Sequence, residues 1–253
     1  MQSIFKRYEK KYLITPEQGA ALRDICSQHM RPDKYGEYLV QNVYFDTENW
    51  DVIRFSLGKP LFKEKLRLRC YDVSHEESHL FLELKKKYKG VVYKRRLAIP
   101  MKSLFGKDVR DIVADGSSQI SREIDFYLRA NAVREKIYIS YRRTAFAGVK
   151  DNGLRVTFDA DLAFRLDCLD FSYPCSGHSI IPDGKMLMEI KTLGGIPLWM
   201  THALCENKIY PTAFSKYGAC YKDHILKQGE TEPEQQRIAE EEDQCLALFP
   251  AAS

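Results

Sequence analysis

The feature that most constrains this chain is a regular alternation of apolar and charged residues between Leu80 and Ile99, LFLELKKKYKGVVYKRRLAI. Successive side chains of a β-strand point to opposite faces, so the leucines in the first half point one way while Glu83 and Lys85 point the other. A glycine divides the segment, and the alternation resumes after it. The pattern predicts a hairpin with one apolar face and one charged face.

The same alternation recurs in other predicted strands. One charged strand face is ordinary, because most antiparallel sheets turn a polar face to water. Several strands that each carry cations at positions i and i+2 favour a single basic surface, which would become a polar tunnel if the strands closed into a barrel. The faces concerned are Arg7, Glu9 and Lys11; Lys63, Lys65, Arg67, Arg69 and Tyr71; Val92, Lys94 and Arg96; and Glu189 and Lys191.

Length and charge distribution bound the domain organisation and the kind of partner. A chain of 253 residues can bury a good core in one domain. The net charge is +4, but residues 227–253 hold two basic and seven acidic residues, a net charge of −5, which leaves +9 on the rest. We expect a folded domain over 1–227, an acidic tail over 228–253, and an anionic partner.

The pattern of cysteines and the lack of long apolar runs indicate the cellular compartment. The seven cysteines are odd in number, scattered and without a CxxC pair, which is typical of free thiols in a reducing compartment. No signal core and no run of about 18 apolar residues occurs, so a cytoplasmic protein without direct membrane insertion is expected. The sequence also lacks a Gly-rich phosphate loop, a GxSxG motif and a Cys/His constellation, which disfavours nucleophilic catalysis.

Turn and cap signals predict an α+β chain. Thr15 and Gln18 form a capping box at the start of the first helix, with Pro16 in its first turn. Lys216 lies in the first turn of the last predicted helix, where the helix dipole disfavours a cation unless a phosphate binds there; an exposed lysine of no consequence is an equally good reading. Strands are predicted over 5–14, 38–47, 62–73, 80–99 (as a hairpin), 136–146, 154–162 and 185–191, and helices over 15–30, 101–114, 118–130, 197–207 and 215–227, with a short helix or loop over 49–58.

Eight segments, in order, resemble the catalytic domain of the vacuolar transporter chaperone (VTC) polyphosphate polymerases, within the triphosphate tunnel metalloenzyme (CYTH-like) superfamily. The likeness runs from Phe5 to about Lys227. It implies a closed antiparallel β-barrel of about eight strands, decorated with helices, whose basic lumen binds a triphosphate. The segments are RYEKKYLI, NVYFDT, KLRLRCY, LELKKKYKGVVYKRR, SYRRTAF, LRVTFDADL, LMEIK and FSKYGAC.

The resemblance also implies the site residues. Glu189 matches the family's carboxylate for Mn²⁺ or Mg²⁺, although on its own it would more often be the ion-pair partner of a cation such as Lys191. Glu9 and Glu83 would orient cations or water. Arg96 and Lys191 are expected as further phosphate-binding neighbours. The implied catalytic, phosphate-binding cations are Lys11, Arg67, Arg69, Lys85, Lys94, Arg143, Arg155 and Lys216.

The implied activity is the metal-dependent transfer of the ATP γ-phosphate to a growing inorganic polyphosphate chain, with a membrane-protein partner if the product is exported. Relatives similar to thiamine triphosphatase begin with ExExK, whereas Arg7 replaces the first glutamate here, which favours the polymerase branch. A tripolyphosphatase or nucleoside triphosphatase stays open, as does a non-catalytic polyphosphate- or nucleic-acid-binding module. Nucleic acid is disfavoured because most strand tyrosines are expected in the core or lumen.

Overall fold

The computed structural model describes residues 8–72, 78–89, 91–104, 107–149, 151, 153–171, 176–181 and 184–227. Within these residues the chain is α+β, with a nine-stranded antiparallel sheet. The strands are β1 (Tyr8–Ile14), β2 (Met30–Asp46), β3 (Phe62–Tyr71), β4 (His79–Tyr88), β5 (Val91–Pro100), β6 (Arg134–Gly148), β7 (Arg155–Arg165), β8 (His178–Ser179) and β9 (Met186–Thr192). The α-helices are α1 (Pro16–His29), α2 (Asp51–Leu57), α3 (Val109–Val113), α4 (Gln119–Asn131), α5 (Leu198–Glu206) and α6 (Lys216–Cys220).

The sheet follows one hydrogen-bonded path, β1-β9-β7-β6-β2-β3-β4-β5, and the short β8 pairs with β7 beside it. Across the described residues no ladder joins the two edge strands β1 and β5. The α+β class expected from the sequence is therefore confirmed. The closed barrel is not confirmed, because hydrogen bonds do not close the sheet.

The sheet nevertheless curls, so that one of its faces is concave. β4 lies six strands from β1 along the path, which would separate them by about 29 Å in a flat sheet. Yet the charges of Glu9 and Lys11 on β1 act on the pKa of Lys85 on β4, after the larger effect of burial. Charges separated by 29 Å are screened from each other. The side chains on this face therefore converge across the sheet.

The opposite, convex face carries the hydrophobic core in two clusters. Leu66 on β3 and Leu82 and Leu84 on β4 are fully buried in the first cluster, where α3 and α4 supply Val113 and Ile124. In the second cluster, residues of β1, β7 and β9 pack with residues of α1 and α5. Because apolar side chains alternate with charged ones along the same strands, burying one set on the convex face directs the other to the concave face. The alternation predicted for the hairpin is confirmed.

Local signals predict the first helix correctly and fail at the third. The N–H of Gln18 donates to Thr15 Oγ1 at 3.3 Å, and the N–H of Thr15 donates to Gln18 Oε1 at 2.9 Å, so the capping box is present. The single helix predicted over 101–114 is wrong: a 3₁₀ helix spans Met101–Leu104, and Asp108 caps the separate helix α3. The second strand also starts earlier than predicted, because its pairing with β6 continues to Met30 beyond a bulge.

The described chain forms two compact units, one that ends at Phe214 and one that begins at Ser215. In the second unit, Ser215 Oγ accepts the N–H of Gly218 at 3.2 Å, and α6 continues into a π-helical segment, Tyr221–Ile225. The predicted last helix is thus confirmed, while the acidic tail over 228–253 lies outside the described residues. None of the helices described is both long enough and apolar enough to cross a bilayer.

Candidate functional site

A buried carboxylate on the concave face gathers four cations from the two neighbouring strands. Arg67 Nη2 lies 2.7 Å from Glu83 Oε2, and Arg69 Nη1 lies 3.9 Å from the same oxygen. Lys94 Nζ lies 2.5 Å from Oε1, to which Arg96 Nε donates at 2.8 Å. Register explains the convergence, since Glu83 on β4 stands directly between Arg67 on β3 and Arg96 on β5. We call Glu83, Arg67, Arg69, Lys94 and Arg96 the Glu83 cluster.

The Glu83 cluster has an excess of positive charge that burial does not neutralise. The Glu83 side chain is 1 % exposed. Burial alone would raise its pKa, but Arg67, Arg69 and Lys94 outweigh that effect and hold the pKa well below its usual range. Conversely, burial tends to lower the pKa of Arg67, and the charges around it, including Glu83, raise it overall. Glu83 and Arg67 are therefore ionised near neutral pH, and the cluster sets one carboxylate against four basic side chains.

Neutral oxygens hold two arginines of the cluster in place. Arg69 Nε donates to Asn42 Oδ1 at 2.8 Å, and its Nη2 donates to the Tyr141 hydroxyl at 3.4 Å. Arg67 Nη1 donates to the Tyr44 hydroxyl at 3.0 Å. These partners come from β2 and β6, so the guanidinium groups are fixed from both sides. Such an array can bind anionic oxygens without first having to order its donors.

A second cluster of mixed charge lies on β1 and β9. Lys11 Nζ lies 3.6 Å from Glu189 Oε1 and 3.5 Å from Glu9 Oε1. Lys191 Nζ lies 3.1 Å from Glu189 Oε2 and 3.9 Å from Glu9 Oε2. Two carboxylates and two ammonium groups thus alternate, and Lys11 also donates to the Phe214 carbonyl at 3.0 Å.

The residues of this second cluster fit a divalent cation that shares its ligands with a phosphate. Mg²⁺ usually takes only one or two protein carboxylates, together with waters and substrate phosphates, and Glu189 and Glu9 could supply these. Within the described residues no group of three His, Cys, Asp or Glu side chains is gathered. The Thr157 side chain lies directly opposite Glu189, and in the described structure its buried Oγ1 has no hydrogen-bond partner. Such an unsatisfied oxygen is a common sign of a missing ion or water.

Two further arginines on the concave face are tied to aspartates. Arg143 Nε and Nη2 lie 2.6 Å and 2.7 Å from the two carboxylate oxygens of Asp159, a side chain with no exposed surface. Burial lowers the pKa of Arg143, but Tyr141 and Asp159 raise it well above its usual value. Arg155 Nη2 lies 2.8 Å from Asp33 Oδ2 and stays half exposed, opposite Lys191 in the ladder.

Lysines extend the basic surface beyond the Glu83 cluster. Lys63 faces Lys87 and Lys65 faces Lys85 across β3 and β4, and Lys85 also faces Lys94 on β5. Burial, followed by the charges of Lys63 and Lys85, lowers the pKa of Lys65 to about 7. Lys85 is exposed at its surface, but loss of hydration still lowers its pKa to about 8. Like charges directly opposed on neighbouring strands are destabilising. A bound anion would relieve this repulsion.

The structure brings most of the predicted site residues to one face. Lys216 is placed in the second compact unit, at the first residue of α6, and its phosphate-binding role stays a prediction. Sequence reasoning missed Asp159, Asp33 and Thr157, although strand parity could have found Thr157 and Asp159, since both share the face of Arg155 on β7. The predicted residues on the concave face are Lys11, Arg67, Arg69, Lys85, Lys94, Arg96, Arg143, Arg155, Glu189 and Lys191.

The curled antiparallel sheet of this chain is a fold that also occurs among solved structures. A putative adenylyl cyclase from Hippeastrum, reported with a dominant triphosphatase activity, shares this fold. It is 17 % identical, with a TM-score of 0.53, and the match covers 86 % of this chain and 96 % of that one. A putative adenylate cyclase from Vibrio parahaemolyticus is 11 % identical, with a TM-score of 0.45 and coverage of 86 % and 98 %.

The chain belongs to the VTC domain family, whose model matches residues 6–224. The match includes all the candidate residues named above. It confirms the family resemblance found in the sequence motifs. Comparison with curated proteins gives no significant match.

Proposed function

We propose that this protein is a polyphosphate polymerase that transfers the γ-phosphate of ATP to the end of an inorganic polyphosphate chain. The VTC domain match and the triphosphate tunnel fold support an enzyme acting on triphosphates or polyphosphates. One observation favours the polymerase among these enzymes: the opposed lysines at 63, 65, 85 and 87 continue the cationic surface past the Glu83 cluster. A triphosphate needs only one set of ligands, whereas a longer polyanion needs a row of them.

In the proposed reaction the protein mainly positions phosphates and stabilises charge, as phosphoryl transfer requires. Arg67, Arg69 and Lys94 hold phosphate oxygens, and Arg143 and Arg155 contact the neighbouring groups. A terminal oxygen of the chain forms a bond to the γ-phosphorus, and the bond from that phosphorus to the β,γ-bridging oxygen breaks. The electron pair leaves with ADP, and the chain gains one phosphate. Polyphosphate ends are already ionised near neutral pH, so no general base is needed.

Glu189 would hold the metal ion, Mn²⁺ or Mg²⁺, with Glu9 beside it. A bound divalent cation supplies charge neutralisation on phosphate oxygens. In this arrangement Lys11 and Lys191 exchange their carboxylate partners for phosphate oxygens. When no ligand is present, the two lysines compensate the negative charges of Glu9 and Glu189.

A product assay tests the proposal. The protein is incubated with ATP and Mn²⁺, with and without a short polyphosphate primer, and the products are resolved by gel electrophoresis and by phosphate release. Chains longer than the primer together with ADP are expected. Free phosphate without chain growth would overturn the polymerase and support a triphosphatase.

The triphosphatase is the second candidate, because the Hippeastrum structure with the same fold is reported with a dominant triphosphatase activity. The same cations would then hold the triphosphate while water attacks the terminal phosphorus. A non-catalytic polyanion-binding module is a third candidate, and it predicts neither product. Because a binding module needs no turnover, the assay distinguishes all three.

The opposed lysines predict that the affinity for polyphosphate depends on the length of the polyphosphate chain. The double variant Lys63→Gln/Lys87→Gln is expected to bind long-chain polyphosphate about tenfold more weakly, since it loses two charge-assisted contacts that solvent partly screens. Tripolyphosphate affinity should change less than about twofold, because the Glu83 cluster is intact. Isothermal titration calorimetry measures both. The matched control is Lys102→Gln/Lys185→Gln, which removes the same charge from exposed positions elsewhere; equal losses in the two double variants would contradict the prediction.

Anion binding is expected to take up protons above neutral pH. With pKa values of about 7 for Lys65 and about 8 for Lys85, the first is largely neutral at pH 8 and the second is half protonated. A bound polyanion favours the charged forms, so binding of tripolyphosphate should take up about 1.4 protons at pH 8 and almost none at pH 6. Calorimetry in Tris and in HEPES measures the uptake, which Lys65→Met should reduce. An uptake independent of pH would contradict it.

A further inference from the structure

An exposed apolar patch lies at the end of the β4–β5 hairpin, on the convex face. Phe62 pairs directly with Tyr88, and Tyr88 pairs with Val91, so the three side chains stand side by side. Tyr93 follows Val91 on the same face. These side chains belong to residues that are 45, 48, 37 and 43 % exposed, respectively. We call Phe62, Tyr88, Val91 and Tyr93 the hairpin patch.

The hairpin patch lies on the same sheet face as the core and is separated from it by an ion pair, in which Lys86 Nζ lies 3.0 Å from Glu64 Oε1. Leu66 on β3 and Leu84 on β4 share its face and are fully buried in the cluster that contains α3 and α4. Beyond this ion pair, toward the hairpin end, Phe62 and Tyr88 are exposed. Next to them, Leu61 is 71 % exposed and accepts the N–H of Lys89 at 2.9 Å. Contiguous exposed apolar surface of this kind marks an interaction site.

The charges around the patch identify its partner as anionic. Lys87 and Lys89 are exposed at the hairpin end, on either side of Tyr88 in the sequence. Lys86 and Arg95, on the face of the patch, are paired with Glu64 and Glu123. Lys59 is exposed two residues before Leu61, and Lys89 Nζ lies 5.5 Å from the centre of the Tyr88 ring. A second copy of this chain would bring the same positive charges against each other. The charge therefore disfavours self-association through this surface.

We propose that the hairpin patch docks on the surface of an anionic lipid bilayer. Tyrosine and phenylalanine rings enter the boundary between headgroups and acyl chains, where a ring can bury its apolar body and keep a hydroxyl in water. Lysines around them contact anionic headgroups, and their stems can lie along the apolar surface. Apolar burial combined with electrostatic attraction is how proteins bind peripherally to a bilayer without spanning it.

Vesicle sedimentation tests the proposal without ATP or polyphosphate, so its failure would leave the proposed enzymatic function untouched. The protein is expected to sediment with vesicles of phosphatidylcholine and phosphatidylserine, and to stay in the supernatant with phosphatidylcholine alone. Tyr88→Ser/Tyr93→Ser should lower the vesicle partition coefficient about tenfold, and so should Lys59→Gln/Lys89→Gln, because both contributions are needed.

Matched controls separate the patch from general effects. Leu198→Ser/Tyr210→Ser removes apolar side chains of residues that are 76 and 75 % exposed elsewhere, and Lys102→Gln/Lys185→Gln removes two distant charges; both should partition as the wild type does. Circular dichroism establishes whether each variant is folded. If the tyrosine variant does not fold, the lysine variant alone tests the proposal. Absence of sedimentation with anionic vesicles, equal partitioning of patch and control variants, or a dimer in light scattering that the patch variants abolish would each overturn the proposal.

Discussion

Replacing Glu83 with glutamine is expected to lower the free energy of unfolding by about 3 kcal/mol or more, because four cations then lose their shared buried counter-charge. Glutamine keeps the shape of the side chain, so the loss reports charge and not packing. The carboxylate is 1 % exposed and contacts Arg67 at 2.7 Å and Lys94 at 2.5 Å. Urea denaturation followed by circular dichroism measures the change.

The matched control for this prediction is Glu123→Gln. Glu123 pairs with Arg95 at 3.1 Å and with Lys86 at 4.0 Å, but all three side chains are partly exposed. Its removal should cost less than about 1 kcal/mol. A loss for Glu83→Gln no larger than that of the control would contradict the central place given to this carboxylate.

Tripolyphosphate should partly rescue the Glu83→Gln variant. An anion that binds the folded state stabilises it more the more tightly it binds, and the affinity should rise when the carboxylate no longer competes for the arginines. The rise in melting temperature produced by tripolyphosphate should therefore be larger in the variant than in the wild type. Differential scanning fluorimetry at matched ionic strength, with chloride as the reference salt, measures it; an equal rise in both proteins would contradict the competition.

Glu189→Gln is expected to lower metal-dependent turnover by about 10²–10³-fold, the effect of removing one preorganised charged group from a transition state. Tripolyphosphate affinity in the absence of metal should stay unchanged or increase, because Lys11 and Lys191 lose a carboxylate partner at 3.6 Å and 3.1 Å. Turnover is measured by ADP release with Mn²⁺, and affinity by calorimetry with a chelator present.

The control for Glu189 is Glu37→Gln, an exposed carboxylate that pairs with Arg142 at 3.4 Å. Its turnover should match that of the wild type. Mn²⁺ binding, followed by electron paramagnetic resonance, should also weaken in Glu189→Gln and not in Glu37→Gln. If Glu189→Gln kept full turnover and Mn²⁺ affinity, the assignment of the metal to Glu189 would be wrong.

The sequence predicted the parts of the fold that depend on local periodicity. The alternation in the hairpin located Leu82 and Leu84 on the buried face and Glu83 and Lys85 on the other, because strand geometry leaves no other arrangement. The Thr15 capping box was predicted for the same reason, since its partner lies only three residues away. Alternation also indicates that Arg67, Arg69 and Lys94 share a sheet face once their strands are neighbours.

Contacts between segments that are distant in the sequence could not be predicted from local periodicity. Glu83 was expected only to orient cations or water, but cross-strand register makes it the centre of four cations. The pairing of Arg143 with Asp159 and of Arg155 with Asp33 depends on strand register and sheet curvature, which no short window of sequence contains. The helix predicted over 101–114 failed for a local reason, because the Asp108 cap inside that segment was overlooked.

The separation of the two sheet faces has a consequence for redesign. In the middle of β3, β4 and β5 the leucines face the core, whereas Arg67, Glu83 and Arg96 face the concave side. Charged positions can therefore be exchanged in register-matched pairs while the leucines that stabilise the sheet stay untouched. A library of variants that changes only the concave-face positions of these strands would vary which anions are bound and would leave the core residues unchanged.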